Sequence, residues 1–324
     1  MTVLVTGAAG FIGYHVCARL LARGEKVIGV DNLNPYYDVD LKKARVKRLD
    51  ENTGFVFRRL DIADWEALNA LSKAGIRRVV HLAAQAGVRY SLEDPFSYGR
   101  ANCMGQLAVL EFCRRLDGLE HLVYASSSSV YGGNRKQPFA VEDRVDRPIS
   151  LYAASKRAGE LMACSYSYLY RIPATGLRFF SVYGPWGRPD MAAYLFTRAL
   201  FDGEPIRLFN HGKMKRDFTY IDDAVAGLMA ALDRPPEAKD GAPPHRLYNI
   251  GNNRGEPLRR FVELLERVTG RTARIELAPM QPGDVVATVA DIGAARADLG
   301  YEPRTTIDEG LKRFVAWYRD FHGT

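Results

Sequence analysis

Apolar positions follow two alternating rhythms along the first half of the chain. Thr2 to Thr6 is a short apolar run that ends at Gly7, and Phe11 to Arg23 carries apolar residues at helical spacing up to Gly24. Lys26 to Val30 is a second β-rich run, closed by Asp31. Strand, glycine turn, helix and strand within about thirty residues make the βαβ unit of a parallel sheet.

The alternation continues, with strands predicted at Phe55–Leu60, Arg78–Leu82, Leu119–Ala125 and Ala174–Phe179. Helices are predicted at Asp64–Ala74, Pro95–Leu116 and Tyr152–Tyr170. The pattern predicts an α/β fold over residues 1–180: a Rossmann-type, doubly wound parallel sheet covered on both faces. Beyond about Ser181 it loosens. Short strands (Ile206–Phe209, Arg274–Leu277) alternate with helices, and Arg234–Pro244 reads as a surface loop rich in Pro, Gly and charge. Residues 181–324 are expected to form mainly a smaller mixed α/β substrate domain over the carboxyl edge of the sheet, with segments near 217–252 returning to the first domain.

Composition narrows the classes. Apolar residues make up 47% and charged residues 26%, as in ordinary globular enzymes. The formal charge of +7 tilts the surface basic, but Lys and Arg are interspersed with Asp and Glu. That pattern favours a cleft for an anionic small molecule over nucleic acid. Four scattered cysteines without a C-x-x-C pair predict reduced thiols and no metal site. No apolar run is long enough to span a bilayer and no leader precedes the first strand, so a soluble cytoplasmic protein with no membrane partner is expected.

The turn reads Gly7-x-x-Gly10-x-x-Gly13. One glycine permits the tight turn, one lets the backbone approach a pyrophosphate, and one lets helix and strand pack closely. The pyrophosphate would sit on the positive helix end. Asp31 closes the second strand, where an acid bonds both ribose hydroxyls and repels a 2′-phosphate, which selects NAD over NADP; its other reading is a strand-end turn aspartate. Asp61 and Ile62, at the end of the third strand, are placed to hold the adenine, although Asp61 could equally be an N-cap.

Tyr152 and Lys156 stand four apart at the start of a helix and share a face. An ammonium one turn away, with the cofactor's positive ring, would favour the phenolate of a tyrosine whose free pKa is about 10. Ser126 to Ser129 follow an apolar strand at the carboxyl edge, where a serine can bond both a reacting hydroxyl and Tyr152.

These pieces together resemble the extended short-chain dehydrogenase/reductase family, and within it the nucleotide-sugar 4-epimerases. The matching stretches are Thr6-Gly7-Ala8-Ala9-Gly10-Phe11-Ile12-Gly13, Val30-Asp31-Asn32, His81-Leu82-Ala83-Ala84, Tyr124 to Gly132, Tyr152-Ala153-Ala154-Ser155-Lys156 and Arg216 to Asp223. The resemblance spans Val3 to about Tyr318. It implies Ser127, Tyr152 and Lys156 as the catalytic trio, Ser127 being chosen because it lies four before Tyr131. It implies contacts to NAD from Gly7, Gly10, Phe11, Ile12, Gly13, Asp31, Asn32, Asp61, Ile62, Leu82, Ala83, Ala84, Asn102, Tyr152 and Lys156.

The resemblance also bears on the reaction. Related dehydratases carry an acidic pair after the catalytic Ser or Thr, and related decarboxylases a glutamate; this chain has Ser128 and Ser129. The segment Leu177 to Met191 looks like that of the UDP-glucuronate 4-epimerases, with Ser181 and Arg188 where galactose epimerases differ. It implies C4 epimerisation between UDP-glucuronate and UDP-galacturonate. Arg188, Ser128 and Ser181 would hold the carboxylate; Arg89, Ser127, Tyr152, Arg216 and Asp284 would hold the rest of the sugar nucleotide. Gln281 departs from the arginine common in the wider family and leaves Arg216 as the candidate for the diphosphate. His81 reads as a packed strand residue. A UDP-glucose/UDP-galactose 4-epimerase, a UDP-glucuronate decarboxylase and a catalytically silent NAD-sensing scaffold are the alternatives. The helices starting near Pro95 and Tyr152 would form a four-helix homodimer contact, as in the family, or be spent on the chain's own core.

Overall fold

A computed structural model describes residues 1–324. Its main sheet has seven parallel strands: β1 (Thr2–Thr6), β2 (Lys26–Asp31), β3 (Phe55–Arg59), β4 (Ile76–His81), β5 (His121–Ser127), β6 (Ala174–Phe179) and, later in the chain, His245–Ile250. The three short strands that intervene are β7 (Ser181–Tyr183), β8 (Ile206–Leu208) and β9 (Lys215–Tyr220), so His245–Ile250 is β10. The order across the large sheet is β3-β2-β1-β4-β5-β6-β10. The order reverses between β1 and β4, which opens a crevice at their carboxyl ends where ligands bind in doubly wound folds. β10 pairs with β6 from Ala174↔His245 to Phe179↔Ile250, so a strand from the second half completes the large sheet.

One face is covered by α1 (Phe11–Ala22), α2 (Val39–Asp50) and a later helix, Ile221–Leu232. The other carries α3 (Trp65–Asn69), then α4 (Tyr90–Glu93), α5 (Pro95–Tyr98), α6 (Gly105–Arg115) and α7 (Leu151–Tyr170). After them come α8 (Ala192–Asp202), the helix Ile221–Leu232 as α9, α10 (Leu258–Thr269), α11 (Gly293–Leu299) and α12 (Ile307–His322). With β11 (Gly255–Pro257) and β12 (Ile275–Leu277), the second half builds a three-stranded sheet, β11-β9-β7, and a pair, β12-β8. Its core is continuous with the α1 face of the large sheet, through residues such as Phe11, Tyr183, Phe218 and Phe314.

Three elements differ from the sequence expectation. The segment Asp64–Ala74 is helical only over Trp65–Asn69, with Asp64 as the N-cap accepting from Ala67 N at 3.1 Å. The stretch from Pro95 to Leu116 is divided by a π-helical segment, Gly99–Met104, between α5 and α6. And α2 was not anticipated: two of its inward positions are the charged Lys42 and Arg45, so it lacks the uniformly apolar stripe that announces a buried helix.

Candidate functional site

A cavity of about 960 Å³ runs along the carboxyl ends of the central strands and under the second half of the chain. That is the upper end of the roughly 300–1,000 Å³ typical of ligand clefts, room for an elongated ligand or two side by side.

At one end lies the glycine turn. Gly7 has φ +74°, and a Cβ there would meet the backbone of Ala83 at 2.7 Å; a Cβ on Gly13 would stand 2.0 Å from the Gly7 carbonyl oxygen. Both positions therefore require glycine, one for its conformation and both for close approach. Gly10, the N-cap of α1, offers no side-chain cap, so the first-turn N–H groups and the positive helix end face the cavity. These glycines and the cap-free helix end fit a dinucleotide pyrophosphate.

Asp31 ends β2 beside the turn. Its carboxylate accepts from Ala9 N at 3.2 Å and Leu33 N at 2.8 Å, and burial raises its pKa. It thus combines the strand-end role with a place on the cavity wall next to Asn32. Asp61 makes its own turn, accepting from Ala63 N at 2.9 Å, and pairs with Arg100; the N-cap is Asp64 instead. Phe11, Ile12, Ile62, Leu82, Ala83 and Ala84 complete this wall. Asn102 does not line it. Its amide is spent behind the wall, accepting from Gln85 N at 2.8 Å and donating to Gln85 O and Ser155 Oγ, each at 3.0 Å.

Sequence reasoning missed Tyr36, Lys42 and Arg45. Lys42 and Tyr36 line the cavity. Arg45, fully buried, donates to Ala9 O at 2.8 Å and to Trp186 O at 2.6 Å, and so ties the glycine turn to the segment that carries Arg188. The aromatic pair Tyr36-Tyr37 followed by basic residues was the available signal.

In the middle, β5 ends at Ser127 and passes into the 3₁₀ turn Ser128–Tyr131, against the start of α7. Ser150 caps α7, accepting from Ala153 N at 3.1 Å, which fixes where Tyr152 and Lys156 emerge. Both line the cavity with Ser127 and Ser128. Ser127 Oγ donates to Ser129 Oγ at 3.1 Å, and Lys156 Nζ donates to Ala125 O at 3.1 Å. Burial pushes the Lys156 pKa down to about 8, helped by Arg188. Burial also raises the Tyr152 pKa, and the groups that draw it back down are the Ser127 hydroxyl and the Arg188 guanidinium. The sequence expectation assigned that task to Lys156. In the structure its ammonium is turned to the Ala125 carbonyl.

Ser181, Arg188, Arg89, Arg216 and Asp284 also line the cavity. Arg188 does not offer a free fork. Its Nε donates to Asp190 Oδ1 at 3.0 Å and its Nη2 to Oδ2, to which the Tyr36 hydroxyl also donates at 3.0 Å. Arg89 pairs with Asp284 at 3.3 Å and stacks on Phe209, while Arg216 donates to Lys215 O. His81, hydrogen-bonded to Thr6 Oγ1, is a buried strand residue held neutral, its pKa pushed down to about 3 by burial.

Residues 3–251 match the model of the NAD dependent epimerase/dehydratase family. An uncharacterized 37.6 kDa protein of Escherichia coli O111:H- is 51% identical over 334 residues, covering 99% of each chain. UDP-glucuronate 4-epimerase 4 of Arabidopsis thaliana is 48% identical over 333 residues, 99% of this chain and 76% of that one. The crystal structure of UDP-glucuronic acid 4-epimerase from Bacillus cereus, in complex with UDP-glucuronic acid and NAD, superposes with a TM-score of 0.91 at 35% identity, covering 99% of this chain and 100% of that one.

Proposed function

The chain belongs to the NAD dependent epimerase/dehydratase family, and from that membership we propose that it is a UDP-glucuronate 4-epimerase, interconverting UDP-glucuronate and UDP-galacturonate with NAD as its cofactor. The observation that carries this reading is the meeting of Ser127, Tyr152 and Lys156 on one cavity that Ser128, Ser181 and Arg188 also line, with no carboxylate next to Ser127 in sequence. Relatives named for the same reaction agree with it.

NAD, when bound, would supply a reversible hydride acceptor for C4 that is restored by the end of each turnover. The chain supplies the rest. Ser127 orients the C4 hydroxyl and favours the phenolate form of Tyr152, which takes the hydroxyl proton and later returns it. Lys156 holds the nicotinamide ribose and contributes charge. Gly7, Gly10 and Gly13 admit the pyrophosphate, while Asp31 with Asn32 takes the adenosine ribose and Asp61 with Ile62 flanks the adenine. Arg216, Arg89 and Asp284 hold the UDP portion.

The C6 carboxylate is received by Ser128 and Ser181, with Arg188 adding positive charge from a tethered position rather than a free two-point clamp. Without an acid beside Ser127, proton transfer for loss of water is not provided for. Held in this way, the keto acid formed by oxidation at C4 keeps its carboxylate through the turn of the sugar.

The protein works as a homodimer on this reading. Phe96 on α5 is 88% exposed, and α7, which packs against α5, exposes Leu161, Tyr168 and Leu169. That is an apolar helical face which the chain's own core leaves uncovered.

The test is direct. Purified protein incubated with UDP-glucuronate should form UDP-galacturonate, without UDP-xylose and without added reductant. UDP-xylose as the main product would make it a decarboxylase, and turnover confined to UDP-glucose would make it a galactose epimerase. Tight NAD binding with no turnover of any UDP-sugar would leave a scaffold.

A further inference from the structure

Three consecutive residues at the end of β5 are gripped by three side chains spaced one turn apart on α7. Tyr152 faces Ser127. Lys156 donates to the carbonyl of Ala125 at 3.1 Å. Glu160 accepts from the hydroxyl of Ser126 at 2.6 Å. The spacing i, i+4, i+8 puts all three on one helix face. Only the first two line the cavity; Glu160 is 1% exposed and lies behind it.

A carboxylate so deeply buried needs partners, and it has them. Arg178 on β6, itself 1% exposed, donates from Nε to Glu160 Oε1 at 2.8 Å and from Nη2 to Oε2 at 2.9 Å. Arg178 Nη1 continues to the Tyr131 hydroxyl at 3.1 Å, at the far end of the serine turn. Arg157 adds a further bond to Glu160 at 2.9 Å. The pair therefore spans α7, β5, β6 and the turn that carries Ser127 to Ser129.

We propose that Glu160 is a positioning residue for the epimerisation: through Ser126 and Arg178 it sets the register of α7 against the end of β5, and so the approach of Tyr152 to Ser127 and of Lys156 to the cofactor ribose. It touches no reacting atom. A shift of the helix by a fraction of a turn would separate the tyrosine from the serine while leaving the nucleotide contacts on other elements in place.

The carboxylate also acts at a distance. The charged and titratable groups around it are Lys156 and Arg157 on α7, Arg178 on β6, Tyr124 on β5, Tyr131 on the turn and His245 on β10. Of these, Lys156 feels Glu160 as a charge that keeps its ammonium protonated. Removing the charge leaves Arg178 uncompensated and lowers the pH at which Lys156 loses its proton.

The test uses the full-length protein with its bound cofactor and rests on the 4-epimerase reading. In Glu160→Gln, kcat should fall by about tenfold or more, the scale expected when reacting groups are misplaced by a fraction of an ångström to an ångström. KM for UDP-glucuronate and Kd for UDP by calorimetry should hold within about twofold. The alkaline limb of the kcat–pH profile should move to lower pH, which a merely structural role would not produce. Ser126→Ala, which keeps every charge, should slow kcat without moving that limb.

Should Glu160→Gln not fold, Glu160→Leu/Arg178→Met, which replaces the buried pair by apolar side chains of similar size, should fold and turn over slowly. Wild-type kcat with an unmoved limb in Glu160→Gln, wild-type kcat in Ser126→Ala, or parallel loss of kcat and UDP affinity would overturn the proposal. An inactive wild-type protein would instead remove the reading beneath it.

Discussion

Arg188 and Asp190 hold each other in a two-point ion pair on the cavity wall, and the Tyr36 hydroxyl donates to the same Asp190 carboxylate. The guanidinium fork that sequence reasoning assigned to a substrate carboxylate is thus already occupied by a carboxylate of the chain. The two charges stand next to the place proposed for the C6 carboxylate, and they do not act independently there.

A mutant cycle should expose this. Arg188→Ala leaves Asp190 without its cation in a half-buried site facing an anionic substrate, and KM for UDP-glucuronate should rise at least roughly tenfold, the scale of a lost charge-assisted hydrogen bond. Arg188→Ala/Asp190→Asn should recover much of that loss, because the repulsive charge is gone. Asp190→Asn alone should lower KM for UDP-glucuronate relative to UDP-glucose. Steady-state kinetics on both substrates read all three, and additive effects would mean that the pair is not coupled to the substrate. A UDP-pentose product from Arg188→Ala would further tie this residue to retention of the carboxylate.

The central trio makes a sharper prediction. Tyr152→Phe removes the group proposed to move the C4 hydroxyl proton and should lower kcat by about 10²- to 10⁴-fold, with UDP affinity kept. Because burial and Arg188 bring the Lys156 pKa down to about 8, kcat/KM should fall as pH rises through that value, when the ammonium is lost. A pH profile flat to pH 10 would remove Lys156 from its proposed role.

How much of this was legible beforehand follows from which residues carry the pattern. The strands β1, β2 and β4 to β6 are apolar runs bounded by turns, and their position could be read directly. So could the places of Gly7, Gly13, Tyr152 and Lys156 on the cavity, which follow from local spacing. Helix α2 could not, because Lys42 and Arg45 sit on its buried side and bond to backbone carbonyls 8 to 142 residues away in sequence. Asp190 and Glu160 escaped for the same reason. A buried charge is recognisable only by its partners, and Arg178 for Glu160 and Tyr36 for Asp190 come from other elements.

Acid should unfold the protein through its histidines. Burial lowers the pKa of His15, His121 and His245 to about 4 and of His81 to about 3, each from an ordinary value of 6.5. In that interval the unfolded chain binds more protons than the folded one, so this contribution is fully present above pH 6.5 and is lost as pH falls from there toward 4. The thermal midpoint should drop steeply across the window. His15→Gln, which can still donate to the Pro185 carbonyl, should make the drop shallower; an unchanged slope would show that His15 takes up no extra proton on unfolding.

The exposed face of α5 and α7 should carry the dimer contact. Phe96→Asp together with Leu169→Arg alters two side chains that are 88% and 61% exposed, so the monomer fold should survive. Light scattering should give twice the chain mass for the wild type and one chain mass for the variant. A wild type that is monomeric at all concentrations would refute the dimer.

Asp31 offers the clearest separation of folding from cofactor binding. Both its oxygens accept backbone N–H groups, Ala9 from the glycine turn and Leu33 from the following loop, and its carboxylate charge faces the place proposed for the adenosine ribose. Asparagine can still accept with one oxygen, but its amide opposes the second N–H, and the charge that excludes a 2′-phosphate is gone. Asp31→Asn should therefore fold with a modestly lower thermal midpoint, emerge from purification with less bound NAD, and discriminate less between NAD and NADP. Both cofactors can be titrated against the thermal midpoint, since a ligand that binds only the folded state raises it in proportion to its affinity. If the variant lost stability yet kept full NAD content and full discrimination, Asp31 would be a turn residue alone and the choice of NAD would have to be made elsewhere on the wall, with Lys42 the next group to examine.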